Sequence, residues 1–100
     1  MRTITTRFWR GAFVGLGYEV ESNKEKGLGR PDILLKDDDN RRAIIIEAKK
    51  SGMEADMEKD CGEAIEQIVS RKYAEGLYGY RQILCYGIAF FQKQAMVKLR

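Results

Sequence analysis

Gly29-Arg30-Pro31-Asp32-Ile33-Leu34-Leu35-Lys36, then Asp37-Asp38-Asp39-Asn40, then Arg41-Arg42-Ala43-Ile44-Ile45-Ile46-Glu47-Ala48-Lys49-Lys50, sets two apolar runs around a turn-forming segment and leaves charges at their ends. Asp and Asn favour turns because their side chains bond nearby backbone groups. The stretch therefore predicts an antiparallel hairpin with strands over 32–36 and 43–49, the loop 38–41, and Asp37 and Arg42 as the flanking pair. In that register Asp32 stands opposite Glu47. Directly opposed residues project on one face of a sheet, with Cβ atoms roughly 5 Å apart, and Lys49 follows on the same face about 7 Å farther along. A loop of odd length would instead turn Asp32 toward the side of Ile46 and Ala48.

Charge at such positions is costly. Burying a carboxylate or an ammonium without a partner costs several kcal/mol, and two close carboxylates raise one pKa unless a cation neutralises them. A hard divalent ion is the natural partner: Mg²⁺ takes oxygen ligands from one or two carboxylates and leaves room for a substrate phosphate. A neighbouring lysine can orient or deprotonate the attacking water and stabilise charge on the phosphate. The same three residues also read as a cross-strand ion pair beside solvated charges, and structural pairs of that kind imitate sites. On these residues alone both readings stand.

Pro31-Asp32, followed after a short hairpin by Glu47-Ala48-Lys49, resembles the signature of the PD-(D/E)xK nuclease superfamily. The wider run Ser22-Asn23-Lys24-Glu25-Lys26-Gly27-Leu28-Gly29-Arg30, with Glu63-Ala64-Ile65-Glu66-Gln67-Ile68 and Lys72-Tyr73 downstream, is similar to a branch whose nuclease-like domain usually follows an AAA-ATPase-like domain. The resemblance covers most of the chain. It implies that Asp32 and Glu47 are metal-binding acids, that the Ala48 carbonyl is a backbone ligand, and that Lys49 is the catalytic lysine. It further implies that Glu25 completes the site and that Gln67 adds a polar group from a helix. Related nucleases place a tyrosine four residues after that glutamine, whereas here the position is Arg71 and the tyrosine is Tyr73. Arg30 is a candidate phosphate clamp or a partner for Glu25.

Composition narrows the chemistry. The 100 residues suit a single domain spanning 1–100, and 44% hydrophobic with 33% charged residues is ordinary for a globular chain. Histidine is absent. That removes Ser-His-Asp and Cys-His catalysis and histidine-liganded zinc or iron, leaving proton transfer to a carboxylate, a tuned lysine or a water. Cys61 and Cys85 fall in apolar patterns, which predicts buried free thiols; a structural zinc would need more sulfur or histidine ligands. Net charge is +3, with six basic against three acidic residues over 1–30, six against nine over 31–60, and six against three over 61–100. Basic ends around an acidic middle fit acids that hold cations while Lys and Arg take phosphates, and equally fit plain solvation. No apolar run approaches the roughly 20 residues of a membrane span, and residues 1–16 lack the apolar core and cleavage site of a secretion signal, so the expected location is cytoplasmic.

Along the rest of the chain, Phe8, Trp9, Ala12, Phe13 and Leu16 recur at helical spacing and predict a core-packing helix over 3–16. Residues 18–23 alternate as a half-buried strand, and 24–30 form a loop in which Gly27 and Gly29 allow close backbone approach. Asp37 to Asn40 lacks the glycine and distant glutamate of a calcium loop and reads as a solvated turn. Ile44, Ile45 and Ile46 mark a central strand covered on both faces. Met57, Cys61, Ala64, Ile65, Ile68, Val69 and Tyr73 form one helical stripe over 54–73. Gly76 and Gly79 then break the chain, with Tyr78 and Tyr80 beside them as partly buried rings or stacking platforms for bases. Strands follow over 83–91 and 95–99.

The order αβββαββ implies an α/β fold, a restriction-endonuclease-like core in which a mixed β-sheet is flanked by helices, with the acidic hairpin at an edge of the cleft. The expected activity is hydrolysis of phosphodiester bonds, with DNA as the substrate and Mg²⁺ or Mn²⁺ as cofactor. A nuclease-like module that binds nucleic acid or a partner protein without cutting is the alternative, and a domain tethered to an ATPase is a third. Cutting both strands of a duplex with one site per chain is simplest with two copies, which is compatible with a homodimer.

Overall fold

A computed structural model describes residues 18–22 and 31–100 of the chain. The elements in order are β1 (Glu19–Ser22), β2 (Ile33–Asp37), β3 (Arg42–Lys50), a 3₁₀ turn (Glu54–Asp56), helix α1 (Met57–Ser70), a second 3₁₀ turn (Tyr73–Gly76), β4 (Gln82–Phe91) and β5 (Gln94–Leu99). The helix expected over 3–16 and the glycine loop over 24–30 lie outside the described residues.

The strands form one mixed sheet in the order β1-β2-β3-β4-β5, antiparallel except for the parallel pair β3–β4 that α1 connects. A parallel pair cannot be closed by a tight turn and needs a crossover, and the apolar stripe of α1 supplies one that also covers a sheet face. The hairpin has the expected register, Asp37↔Arg42 through Ile33↔Ile46. It lies inside the sheet, because β2 also pairs with β1 and β3 also pairs with β4. Ile44 to Ile46 thus belong to the central strand that their double-sided apolar character predicts.

Strand alternation divides the side chains into two sets. Val20, Ile33, Leu35, Ile46 and Ile88 form a buried cluster on one face, with Ile44, Tyr86 and Phe90 packed against it. On the other face Ile45 and Cys85 meet Ile68 and Tyr73, while Ala89 meets Met57 and Cys61. Asp32, Glu47 and Lys49 share this second parity, so the helix and the candidate site occupy the same side of the sheet. Close approach of the two layers requires Gly87, because a Cβ there would collide with the carbonyl oxygen of Cys61 and lie 3.0 Å from Ile65 Cγ1 and 3.2 Å from Ala64 Cβ.

Helix α1 buries Met57, Cys61, Ala64 and Ile68, which recur every three or four residues, and it carries Glu58 and Asp60 in its first turn, where carboxylates complement the helix dipole. It is shorter than the stripe over 54–73. Lys72 adopts a left-handed conformation (φ 57°), which ends the helix and starts Tyr73 in a separate turn. Tyr73 is still buried, whereas Val69 is 46% exposed. Both cysteines are buried free thiols, as their patterns predict. Asp37 departs from the solvated-turn reading: it is buried and accepts hydrogen bonds from Asn40 Nδ2 at 2.8 Å and from Arg42 at 3.2 Å. These bonds, Asn40 foremost, hold its carboxyl below the usual range.

Candidate active site

The ladder between β2 and β3 ends at Ile33↔Ile46, yet β3 continues beside β4 as far as Lys50↔Phe90. Where the two hairpin strands part, carboxylates take the place of backbone carbonyls. The Asp32 N–H donates to Glu47 Oε1 at 2.8 Å, and the Ala48 N–H donates to Asp32 Oδ2 at 2.9 Å. This reciprocal exchange fixes both acids against the backbone. One oxygen of each, Asp32 Oδ1 and Glu47 Oε2, has no hydrogen-bond partner among the described residues. Expected to lie in a strand, Asp32 instead occupies a bend just before β2, and this bend lets its carboxylate reach across to the main chain of β3.

Glu47 is buried, 5% exposed, with Gly87 beside it on β4. Its carboxyl is pushed up, first by burial and then by the charge of Asp32; the hydrogen bond from the Asp32 N–H and the charges of Arg71 and Lys49 pull the other way. Burial is the largest of these effects. Lys49 lies two residues beyond Glu47 on the same face and is half-buried. The end of β3 is anchored nearby, since Ser51 N donates to Phe90 O at 2.7 Å and the Ser51 hydroxyl donates to Asp60 Oδ2 at 2.6 Å. Strand and helix are thus tied together next to the lysine.

Not every expected residue is brought into contact. Glu25 and Arg30 lie outside the described residues. Gln67 sits half-buried on α1, and its side chain makes no hydrogen bond to Asp32, Glu47 or Lys49 among the described residues. Arg71, one helical turn beyond Gln67, is more closely engaged: its guanidinium donates to the Tyr73 hydroxyl at 3.2 Å. That bond, with smaller effects from the charges of Glu47 and Asp32, raises its pKa further. The signal for Arg71 was its position four residues after Gln67, which places the two on one helix face.

The donor set suits a hard divalent ion better than a soft one, because it offers carboxylate and backbone oxygens and no imidazole or thiolate. Among the described residues no group of three or more His, Cys, Asp and Glu side chains is gathered for a metal. Two acids with one uncommitted oxygen each are what these residues contribute. Such a site fits Mg²⁺, which is commonly held by one or two carboxylates and otherwise by water and phosphate.

The family model for the PD-(D/E)XK nuclease superfamily matches residues 4–99. The chain belongs to that superfamily. Its mixed sheet, with a helix joining the parallel pair, is the restriction-endonuclease-like α/β core. No curated protein matches the chain closely enough to count as a relative. No helix among the described residues is long and apolar enough to cross a membrane.

Proposed function

We propose that this PD-(D/E)XK domain is a metal-dependent nuclease that hydrolyses phosphodiester bonds in DNA. The observation that carries this reading is the convergence of the Asp32 and Glu47 carboxylates at the mouth of the hairpin, with Lys49 on the same face. Mg²⁺ or Mn²⁺ would be held by Asp32, Glu47, the Ala48 carbonyl and Glu25, and would supply Lewis acidity at the phosphate.

The chain's own residues do the rest. Asp32 and Glu47 are locked by backbone N–H groups, so they need no reorganisation when the substrate arrives. Lys49 orients the attacking water and stabilises the negative charge that grows on the phosphate oxygens. The water oxygen bonds to phosphorus as the bond to one ester oxygen breaks, one proton ends on that departing oxygen and the other leaves to solvent, and the products are a phosphate monoester and a hydroxyl. Two copies of the chain would serve the two strands of a duplex.

The test is digestion of linear and circular DNA with and without Mg²⁺, by the unaltered chain and by Glu47→Ala and Lys49→Ala variants. Loss of cutting of about 100-fold or more in each variant is expected. Cutting that survives both changes refutes the assignment. DNA binding that ignores Mg²⁺, with no cutting by the unaltered chain, would establish the non-cutting module instead.

A further inference from the structure

Beside the acids, on the same sheet face, lies a pocket of about 230 Å³ lined by Glu21, Pro31, Leu34, Lys36, Tyr73 and Leu77. It is smaller than the roughly 300–1,000 Å³ of typical small-molecule sites, so it has room for one flat ring and not for a large ligand. Its walls set Pro31, Leu34 and Leu77 against the polar groups of Glu21, Lys36 and Tyr73. The one cation in its described lining, Lys36, is committed to a salt bridge with Glu21, and that carboxylate would repel a phosphate. A ring with polar edges fits; an anion does not.

The pocket is coupled to the acidic site at two points. Pro31 precedes Asp32 directly, and Leu34 follows it on the same strand face, about 7 Å away at the usual rise. Across the cleft the Tyr73 hydroxyl accepts the hydrogen bond from Arg71 at 3.2 Å. Arg71 is exposed at the end of α1, and its charge is felt at Glu47. An exposed guanidinium is therefore bonded to a wall of a ring-sized pocket while its charge bears on one of the two acids. Guanidinium geometry matches phosphate oxygens in a bidentate manner.

We propose that Arg71 and this pocket form a subsite for the nucleotide next to the scissile phosphate, with Arg71 on its phosphate and its base between Pro31, Leu34, Tyr73 and Leu77. This rests on the nuclease reading, which it deepens by naming where an unpaired base is held. Tyr73 positions Arg71 through its hydroxyl. The subsite favours a strand whose base is free to leave the stack, so single-stranded ends are bound in preference to closed duplex.

The experiment is fluorescence anisotropy with a short labelled single-stranded DNA and with the same strand made abasic, using Ca²⁺ in place of Mg²⁺ to measure binding apart from cutting. The intact strand should bind about tenfold more tightly, the lower part of the range that a held base supplies. Leu77→Asp should erase that ratio. Arg71→Ala should weaken both strands alike and lower the slope of log K against log salt by about one, while Arg71→Lys should restore the slope. Arg71 is exposed, so its variants test the idea even if Leu77→Asp fails to fold. Equal binding of the two strands, no binding of either, or an unchanged salt slope in Arg71→Ala overturns the subsite. Base-selective binding without any hydrolysis would keep the subsite and remove the nuclease reading, whereas hydrolysis indifferent to an abasic position would do the reverse.

Discussion

Replacing Gly87 by alanine tests how tightly α1 must lie against the sheet for the site to form. The added Cβ would overlap the Cys61 carbonyl oxygen and press on Ile65 Cγ1 at 3.0 Å and Ala64 Cβ at 3.2 Å. Carbon and oxygen settle at about 3.3–3.6 Å, so α1 would have to retreat by roughly 1 Å. A gap of about that size forfeits a quarter to a half of each dispersion contact it opens, and here it opens those of Cys61, Ala64 and Ile68 against the sheet. Overpacking costs about 1–3 kcal/mol, and the opposing atom is backbone, which cannot rotate away, so the upper end applies. The loss of chain entropy in the unfolded state returns about 0.4–1 kcal/mol. A net destabilisation of about 2 kcal/mol lowers the melting temperature by roughly 8–16 °C in a domain of this size. Circular dichroism melts and urea titrations measure it. Gly62, inside α1 with nothing within 4 Å of where a Cβ would stand, is the control: Gly62→Ala should stabilise by about 0.5–1 kcal/mol. A fall of less than about 3 °C in Gly87→Ala, or the same sign in both variants, would refute the packing argument.

Three more expectations follow from named groups. The folded chain holds the Glu47 proton more tightly than the unfolded chain does, so stability is greatest below the ordinary glutamate value of about 4.3 and falls as pH rises through the raised pKa; melts across that window should flatten in Glu47→Gln, and Mg²⁺ should no longer raise the melting temperature of that variant. Leu35 is fully buried in the sheet-face cluster, and Leu35→Ala should cost about 2–5 kcal/mol in urea unfolding. The Tyr80 hydroxyl donates to Asp38 Oδ1 at 2.5 Å, and this bond pushes the phenol up to about 12; an ultraviolet titration of Asp38→Asn should show it returning toward about 10, and in the unaltered chain the stability from this bond is present below about 10 and lost as pH rises through the folded value.

The hairpin register, the shared face of Asp32, Glu47 and Lys49, the central place of β3 and the apolar stripe of α1 were all legible in the sequence. Each depends on a local rule: turn chemistry sets the register, and alternation or helical spacing sets the face. What stayed hidden depends on parts of the chain that meet only after folding. Asp37 is buried by partners from the turn beyond it, and the helix stops at Ser70, short of a left-handed Lys72 that no glycine announces. Gly87 is dictated by a helix carbonyl across the layer, and the charge of Arg71 bears on Glu47 only because α1 crosses from β3 to β4 on the acidic side of the sheet. Sequence by itself thus determined which acids share a face, because the period of a strand is written residue by residue. Tertiary structure alone decided which cation and which pocket stand beside those acids, because the packing of a helix over a parallel strand pair has no period along the chain.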